Sequence, residues 1–169
     1  MKELNYNDIL PILNEKLANG GVFYTVNGEK GPNTMTIGWA YMGTSWRKNI
    51  FIAMIRPQRY SFGLTEESGE FTVSIPTTDP LKKQLAFAGT ESGRDVNKFE
   101  GHGLTAVPAQ KVGAPIIGEC GLHIECKVVS KQLLSGDNMN ADVHDRCYPA
   151  DDYHMLYFGE VVACYSTDE

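Results

Sequence analysis

Three short segments of this 169-residue chain combine residue types able to do chemistry. In Asn33-Thr34-Met35-Thr36-Ile37-Gly38-Trp39, small polar groups alternate with bulky ones and end on a tryptophan. A strand edge of this kind can offer amide and hydroxyl groups to a planar heterocycle while Met35 or Trp39 packs near its face. The plainer alternative is a solvent-facing polar side with Trp39 in the core. In Met54-Ile55-Arg56-Pro57-Gln58-Arg59-Tyr60-Ser61, two guanidinium groups, a phenol and a hydroxyl stand where an apolar run gives way to a helical one. The planar fork of arginine and the free amides of a helix start both suit a phosphomonoester, against the alternative of a surface ion pair. The third segment, Gly89-Thr90-Glu91-Ser92-Gly93-Arg94-Asp95-Val96-Asn97-Lys98-Phe99, is a loop of small residues with two cations that could close over a ligand or form an ordinary solvated turn. Its spacing is neither that of a Walker loop nor that of a dinucleotide fingerprint.

Two further groups are weighed against these. His154, in Asp152-Tyr153-His154-Met155-Leu156-Tyr157-Phe158-Gly159-Glu160-Val161, could approach a ligand or complete a hydrogen bond at the end of a barrel, and the structural role is preferred. His144 and Cys147 offer only two metal ligands, too few for a site, so no metal is expected.

The elements that must position these residues follow from periodicity. Ile9, Leu10, Leu13 and Leu17 recur at helical spacing over residues 7–18, behind Asn7 and Asp8 as caps and with Pro11 assigned to the first turn. Short β-type runs follow: GVFYTV, TMTIGWAYM, IFIAMI and EFTVSI. RYSFGLTEES and PLKKQLAFAG read as two short helices, the second with Pro80 as its first residue and Gly89 as its stop. GLHIECKVVSKQLL and HMLYFGEVVACYS return to strand, each long enough to cross a barrel. A mainly β chain with a few helices, organised as one domain over residues 1–169, is the economical architecture.

Lys and Arg number 15 against 21 Asp and Glu, a formal charge of −6 with no basic stripe, which argues against nucleic-acid binding. Any bound phosphate must therefore be gripped locally. No run of about 18 apolar residues occurs and the first residues lack the pattern of an export signal, so neither a membrane span nor secretion is expected. Cys120, Cys126, Cys147 and Cys164 show no C-x-x-C spacing, and reduced thiols in the cytoplasm are the default reading.

Taken in order, NTMTIGW, IRPQRYSF, GEFTVSIP, GTESGRDVNKFE, IECKVV and DYHMLYFGEV resemble the flavin-reductase-like FMN-binding split-barrel family, in its flavoredoxin-like branch. Several motifs in order are far more specific than any one of them. The resemblance implies a six-stranded antiparallel Greek-key split barrel that forms a homodimer, with one FMN per subunit near the interface. It implies that Asn33, Thr34, Met35, Thr36 and Trp39 lie beside the isoalloxazine and that backbone groups of Ala53, Met54 and Ile55 meet its pyrimidine edge. Arg59, Tyr60 and Ser61 would hold the ribityl and phosphate end, helped by Thr90, Ser92, Gly93 and Lys98. Backbone amides and the Thr36 hydroxyl would stabilise negative charge at the pyrimidine edge. Arg56 is left open. Lys48-Asn49 departs from the proline that many relatives place before the next strand, and Trp46 adds bulk near the expected flavin.

The implied activity is that of a flavoprotein oxidoreductase in which NADH or NADPH reduces flavin or a small acceptor. The alternative is a flavoredoxin-like electron carrier with bound FMN, a protein electron donor and no nicotinamide site. A barrel that has lost its cofactor is disfavoured by the intact set Asn33, Thr36, Arg59, Ser61 and Lys98, since polar groups without a partner cost free energy when buried.

Overall fold

A computed structural model describes residues 1–78 and 80–168. Strand β1 (Lys2–Glu3) and helix α1 (Tyr6–Ala18) open the chain, followed by β2 (Val22–Gly28), β3 (Gly31–Ile37), β4 (Ala40–Ser45) and β5 (Lys48–Ile55). Helix α2 (Tyr60–Ser68), β6 (Glu70–Ile75) and α3 (Lys82–Thr90) come next. A small ladder of β7 (Ala106–Val107) and β8 (Ile116–Ile117) precedes β9 (Leu122–Leu133), α4 (Ala141–Cys147) and β10 (Met155–Ser166).

The main sheet is antiparallel and runs β3-β2-β6-β9-β10-β5-β4, with β1 added on β10. Its two outermost strands, β3 and β4, are consecutive in the chain, with only Gly38 and Trp39 between Ile37 and Ala40. The three Cα–Cα steps from Ile37 to Ala40 span at most about 11 Å, so the ends of the sheet must meet and the sheet rolls into a barrel. The seam between β3 and β4 carries no ladder among the described residues, which makes the barrel a split one.

Alternation fills the two faces. Tyr24, Val26, Phe51, Phe71, Val73 and Ile124 point into the barrel, where the Tyr24 and Phe71 rings lie 4.9 Å apart and Phe51 and Phe71 6.1 Å apart. Phe23, the neighbour of Tyr24, points outward and packs with Leu81, Leu85, Ala88 and Ile117 under α3. His123 is buried between the Ser74 and Thr167 hydroxyls, and burial holds its imidazole down at about 4. All four cysteines are free thiols. No helix among the described residues is long and apolar enough to cross a membrane.

The structure departs from expectation at several points. The run TMTIGWAYM breaks at Gly38-Trp39 into two strands, so the sheet has seven strands of six residues or more rather than six, besides the two-residue β1. Helix α1 is capped by Asn5, whose side chain accepts from the Asn7 N–H at 3.0 Å, not by Asn7 or Asp8. Pro11 is then the sixth helical residue, beyond the first turn, and the hydrogen bond it cannot donate would have gone to the carbonyl of the exposed Asn7. Pro80 stands outside α3, which starts at Lys82 behind Leu81 at φ +47, and Gly89 lies inside the helix, which ends at Thr90.

The β10 ladder shifts register between Phe158 and Gly159, where the sheet bends over Phe71. A Cβ at Gly159 would come within 2.6 Å of Phe71 Cζ and 2.8 Å of Cys126 Cβ, both fixed in the core. Gly159→Ala is expected to destabilise the fold by roughly 1–3 kcal/mol through overpacking, seen as a lower urea midpoint at unchanged slope.

Candidate functional site

The seam shapes a groove. Beyond the pair Ala40↔Ala53, strand β5 runs on through Met54 and Ile55 without a ladder partner on its β4 side among the described residues. Strand β3 supplies the facing wall. Together they bound a cavity of about 450 Å³ lined by Met35, Thr36, Ile37, Gly38, Trp39, Met54, Arg56, Gln58, Arg59 and His154. It is apolar where β3 and Met54 face each other and polar at the Arg56–Arg59 end.

A smaller cavity of about 150 Å³ adjoins it, sharing Met35, Gln58 and Arg59. Tyr60 and Ser61 of the first turn of α2 line this space with Asn33, and the loop after α3 contributes Thr90, Glu91, Ser92, Gly93, Arg94 and Lys98. Helix α2 starts behind Arg59 with no side-chain cap, so its first amides are left for a ligand or water. Asn33 Nδ2 donates to Ser61 Oγ at 2.8 Å, tying β3 to the helix start. A Cβ on Gly93 would overlap the Asn33 amide oxygen and come within 2.7 Å of the Tyr60 ring, so only glycine lets the loop close this tightly.

Three cations, Arg59, Arg94 and Lys98, stand against one carboxylate, Glu91, around the smaller cavity. Arg59 Nη2 donates to the Gly89 carbonyl at 2.6 Å, and Lys98 Nζ to the Ala88 carbonyl at 2.7 Å. Lys98 is only 3% exposed. Burial, followed by the Arg59 charge, lowers its ammonium to about 8. Both effects mark a place where an anion would be welcome.

On the lining of the larger cavity, Arg56 pairs with Asp152, donates to the Cys147 carbonyl at 2.9 Å and lies 5.4 Å from the centre of the Tyr148 ring. His154 Nδ1 shares a hydrogen bond of 2.8 Å with the Tyr148 hydroxyl, and its ring lies 5.1 Å from Trp39. Burial first, then the Arg56 charge, holds His154 at about 4, so it is a neutral imidazole at physiological pH. Trp39 is 44% exposed and, with Gly38 and Met54, also borders a third, more apolar cavity of about 740 Å³ walled by Leu17, Tyr41, Met139, Val143 and Tyr148.

Of the residues singled out in the sequence, Asn33, Met35, Thr36, Trp39, Met54, Arg59, Tyr60, Ser61, Thr90, Ser92, Gly93 and Lys98 all line one or both of the adjoining cavities. Thr34 does not: it is fully buried against β2, accepting from Thr25 at 3.0 Å and donating to the Tyr24 carbonyl. The side chains of Ala53 and Ile55 belong to the barrel core, which leaves only their backbone to the groove. The Thr36 hydroxyl donates to the Leu85 carbonyl at 2.6 Å, so its proton is engaged within the fold. Trp39 is exposed at the rim, not in the core, and Trp46 packs on Phe158 at 5.6 Å, outside the residues lining either cavity. Arg56, Gln58, Gly38 and Arg94 were not in the expected set, although each stands inside a motif that was. His154 lines the groove and also makes the hydrogen bond expected of a structural residue. His144 bonds Asp145 and Asp151 at 3.1 and 3.0 Å.

Comparison with known proteins places this geometry in context. The chain is 39% identical over 140 residues to an uncharacterized protein of Archaeoglobus fulgidus, covering 83% of this chain and 68% of that one. It spans about half the length of two further curated relatives. Among solved structures, flavoredoxin of Desulfovibrio vulgaris (Miyazaki F) is 26% identical with a TM-score of 0.68, covering 88% of this chain and 70% of that one. An FMN-binding protein from Thermus thermophilus, solved with p-hydroxybenzaldehyde, shares the fold at 23% identity and a TM-score of 0.66, covering 85% of this chain and 69% of that one. The model of the flavin reductase like domain matches residues 15–169, and the chain belongs to that family.

Proposed function

We propose that this chain binds FMN in the joined cavities and acts as an oxidoreductase in which NADH or NADPH reduces the flavin or a small acceptor. One observation carries the reading: an apolar slot at a strand edge runs through Met35, Gln58 and Arg59 into a cationic pocket at a helix start. That is the shape and polarity of a planar heterocycle ending in a phosphomonoester. Bound FMN supplies the hydride and electron chemistry.

The chain positions and polarises. Met35, Ile37, Trp39 and Met54 flank the ring, and the unpaired β5 edge at Met54–Ile55 presents backbone donors and acceptors to its pyrimidine side. Arg59, Ser61, Ser92 and Lys98 grip the phosphate, with Thr90 and Tyr60 beside them. The exposed face of Trp39 leaves a side on which a nicotinamide donor can approach. A second copy of the chain, completing a homodimer, would cover the exposed Trp39, Tyr41 and Val143 around the apolar cavity.

A flavoredoxin-like carrier is the second reading, favoured by the 26% identity to flavoredoxin and by the aromatic rim that a protein donor could contact. Anaerobic mixing of FMN-loaded protein with NADH and NADPH separates the two. Prompt bleaching of the flavin band is expected for the reductase, and an unchanged band with either nucleotide assigns the chain to the carrier class.

Arg59→Ala removes a charge-assisted contact and is expected to weaken FMN binding by roughly 1.5–3 kcal/mol, about ten- to a hundredfold in Kd by fluorescence titration. Unchanged affinity would take Arg59 out of the site. The depressed Lys98 adds a pH dependence. A dianionic phosphate favours the protonated ammonium, so binding is strongest below about 8 and falls as Lys98 loses its proton above that value. A fall in FMN affinity between pH 7 and 9.5, absent in Lys98→Met, is the expected measurement.

A further inference from the structure

We propose that residues 135–153 form a lid over the Trp39 end of the groove, hinged where β9 meets β10 and latched in place by Arg56. The segment leaves β9 after Leu134 and rejoins the sheet at His154, and its two ends are tied together. The Leu134 N–H donates to the His154 carbonyl at 3.0 Å, next to the ladder pair Met155↔Leu133. The segment therefore swings about one base rather than two separate anchors. Near its second end, Asp151 stands at φ +54, a left-handed conformation of the strained kind found in switch segments. Such a lid governs access to the groove whatever ligand fills it.

Polar contacts within the segment make it one body. His144 bonds Asp145 and Asp151, the Tyr153 hydroxyl donates to Asp151 at 2.7 Å, and the Tyr148 and Tyr153 rings lie 5.1 Å apart. Ser135 and Asn140 cap its two short helical turns, accepting from the Asp137 and Asp142 N–H groups at 3.2 and 2.9 Å. Toward the barrel the contacts are few. Helix α4 buries none of its residues, and among the described residues none of 135–153 belongs to either core cluster. Among the described residues, the hydrogen bonds from the segment to the rest of the chain end on Arg56, Gln58 and His154.

Arg56 holds both shoulders of this body. One guanidinium nitrogen pairs with Asp152 beside the hinge, and another donates to the Cys147 carbonyl at the end of α4, at 2.9 Å. The same group lies 5.4 Å from the centre of the Tyr148 ring, which is buried, and Gln58 adds a bond to Asp152 at 3.1 Å. Arg56 and Gln58 both line the groove, so the latch sits on the wall of the space it guards. Under the lid lies the cavity of about 740 Å³, lined by Met139, Val143 and Tyr148 from the lid and by Leu17, Trp39 and Met54 from the body. Trp39 and Met54 also line the groove, so raising the lid widens one opening onto both spaces. A charge-assisted contact holds a segment that has no core of its own, and its loss releases that segment without unfolding the barrel.

Cys147 reports on the lid, because it lies half-buried in the cavity wall whereas Cys120, Cys126 and Cys164 are buried elsewhere. The test labels the thiols of the full chain with dithiobis(nitrobenzoate) and follows amide hydrogen exchange, in the parent, Asp152→Asn, Arg56→Lys and the control Asp145→Asn. In the parent, the amides of 135–153 are expected to exchange together and well before those of β9 and β10. Both latch variants are expected to speed Cys147 labelling about tenfold, the lysine because one ammonium cannot span Asp152 and the Cys147 carbonyl. Asp145→Asn alters a contact inside the lid and is expected to leave the rate unchanged. With Trp46, the other tryptophan, replaced by Phe, acrylamide quenching of Trp39 is expected to rise with the labelling rate. Unchanged labelling in both latch variants, an equal rise in Asp145→Asn, or parent exchange of 135–153 no faster than the strands overturns the inference. Exposure of all four thiols with loss of β9 and β10 protection also overturns it, since Arg56 then holds the barrel and not a lid. No flavin enters these measurements, so a failure of FMN to bind removes the flavin reading and leaves the lid standing.

Discussion

Two residues of chain, Gly38 and Trp39, link the opposite edges of one antiparallel sheet, and this short tether governs everything else in the molecule. The edges must meet, yet among the described residues no ladder joins β3 to β4. The result is a closed barrel with an open seam. Buried backbone polar groups demand partners, and here the seam leaves strand β5 with main-chain groups past Ala53 that face a groove instead of a neighbouring strand. A binding slot therefore arises from the topology before any side chain is considered.

Electrostatics completes what topology begins. The chain is acidic overall, so general attraction for anions is absent and recognition must be local. On the flavin reading it would rest on Arg59 and Lys98, each of which donates to an α3 carbonyl. Helix α2 has no side-chain cap at its start and sets Tyr60 and Ser61 of its first turn on the same pocket. Arg56, by contrast, is already neutralised by Asp152 and serves to hold Tyr148 and the segment after α4 against the groove.

Much of this was legible in the residues themselves. Long β-type runs marked β9 and β10, and the junction of an apolar run with Arg59-Tyr60-Ser61 marked the helix start that lines the smaller cavity. The break at Gly38-Trp39 was not legible, because TMTIGWAYM is β-prone throughout and only the closure of the barrel demands a corner there. Helix α4 was missed because ADVHDRC has no apolar stripe and buries none of its residues. Pro80 misled because a left-handed Leu81 separates it from α3. The orientation of Thr34 and the engaged proton of Thr36 depend on neighbours from β2 and α3, which no local pattern reveals.

The groove thus has two ends with different prospects for change. At the Met54–Ile55 end the contacts on offer are main-chain groups, and replacing a side chain leaves an amide or a carbonyl where it was. At the Lys98 end every contact but the helix amides hangs on a replaceable side chain. If the proposed flavin site holds, divergent descendants of this chain would accordingly keep the same heterocycle while drifting freely in how firmly they hold it.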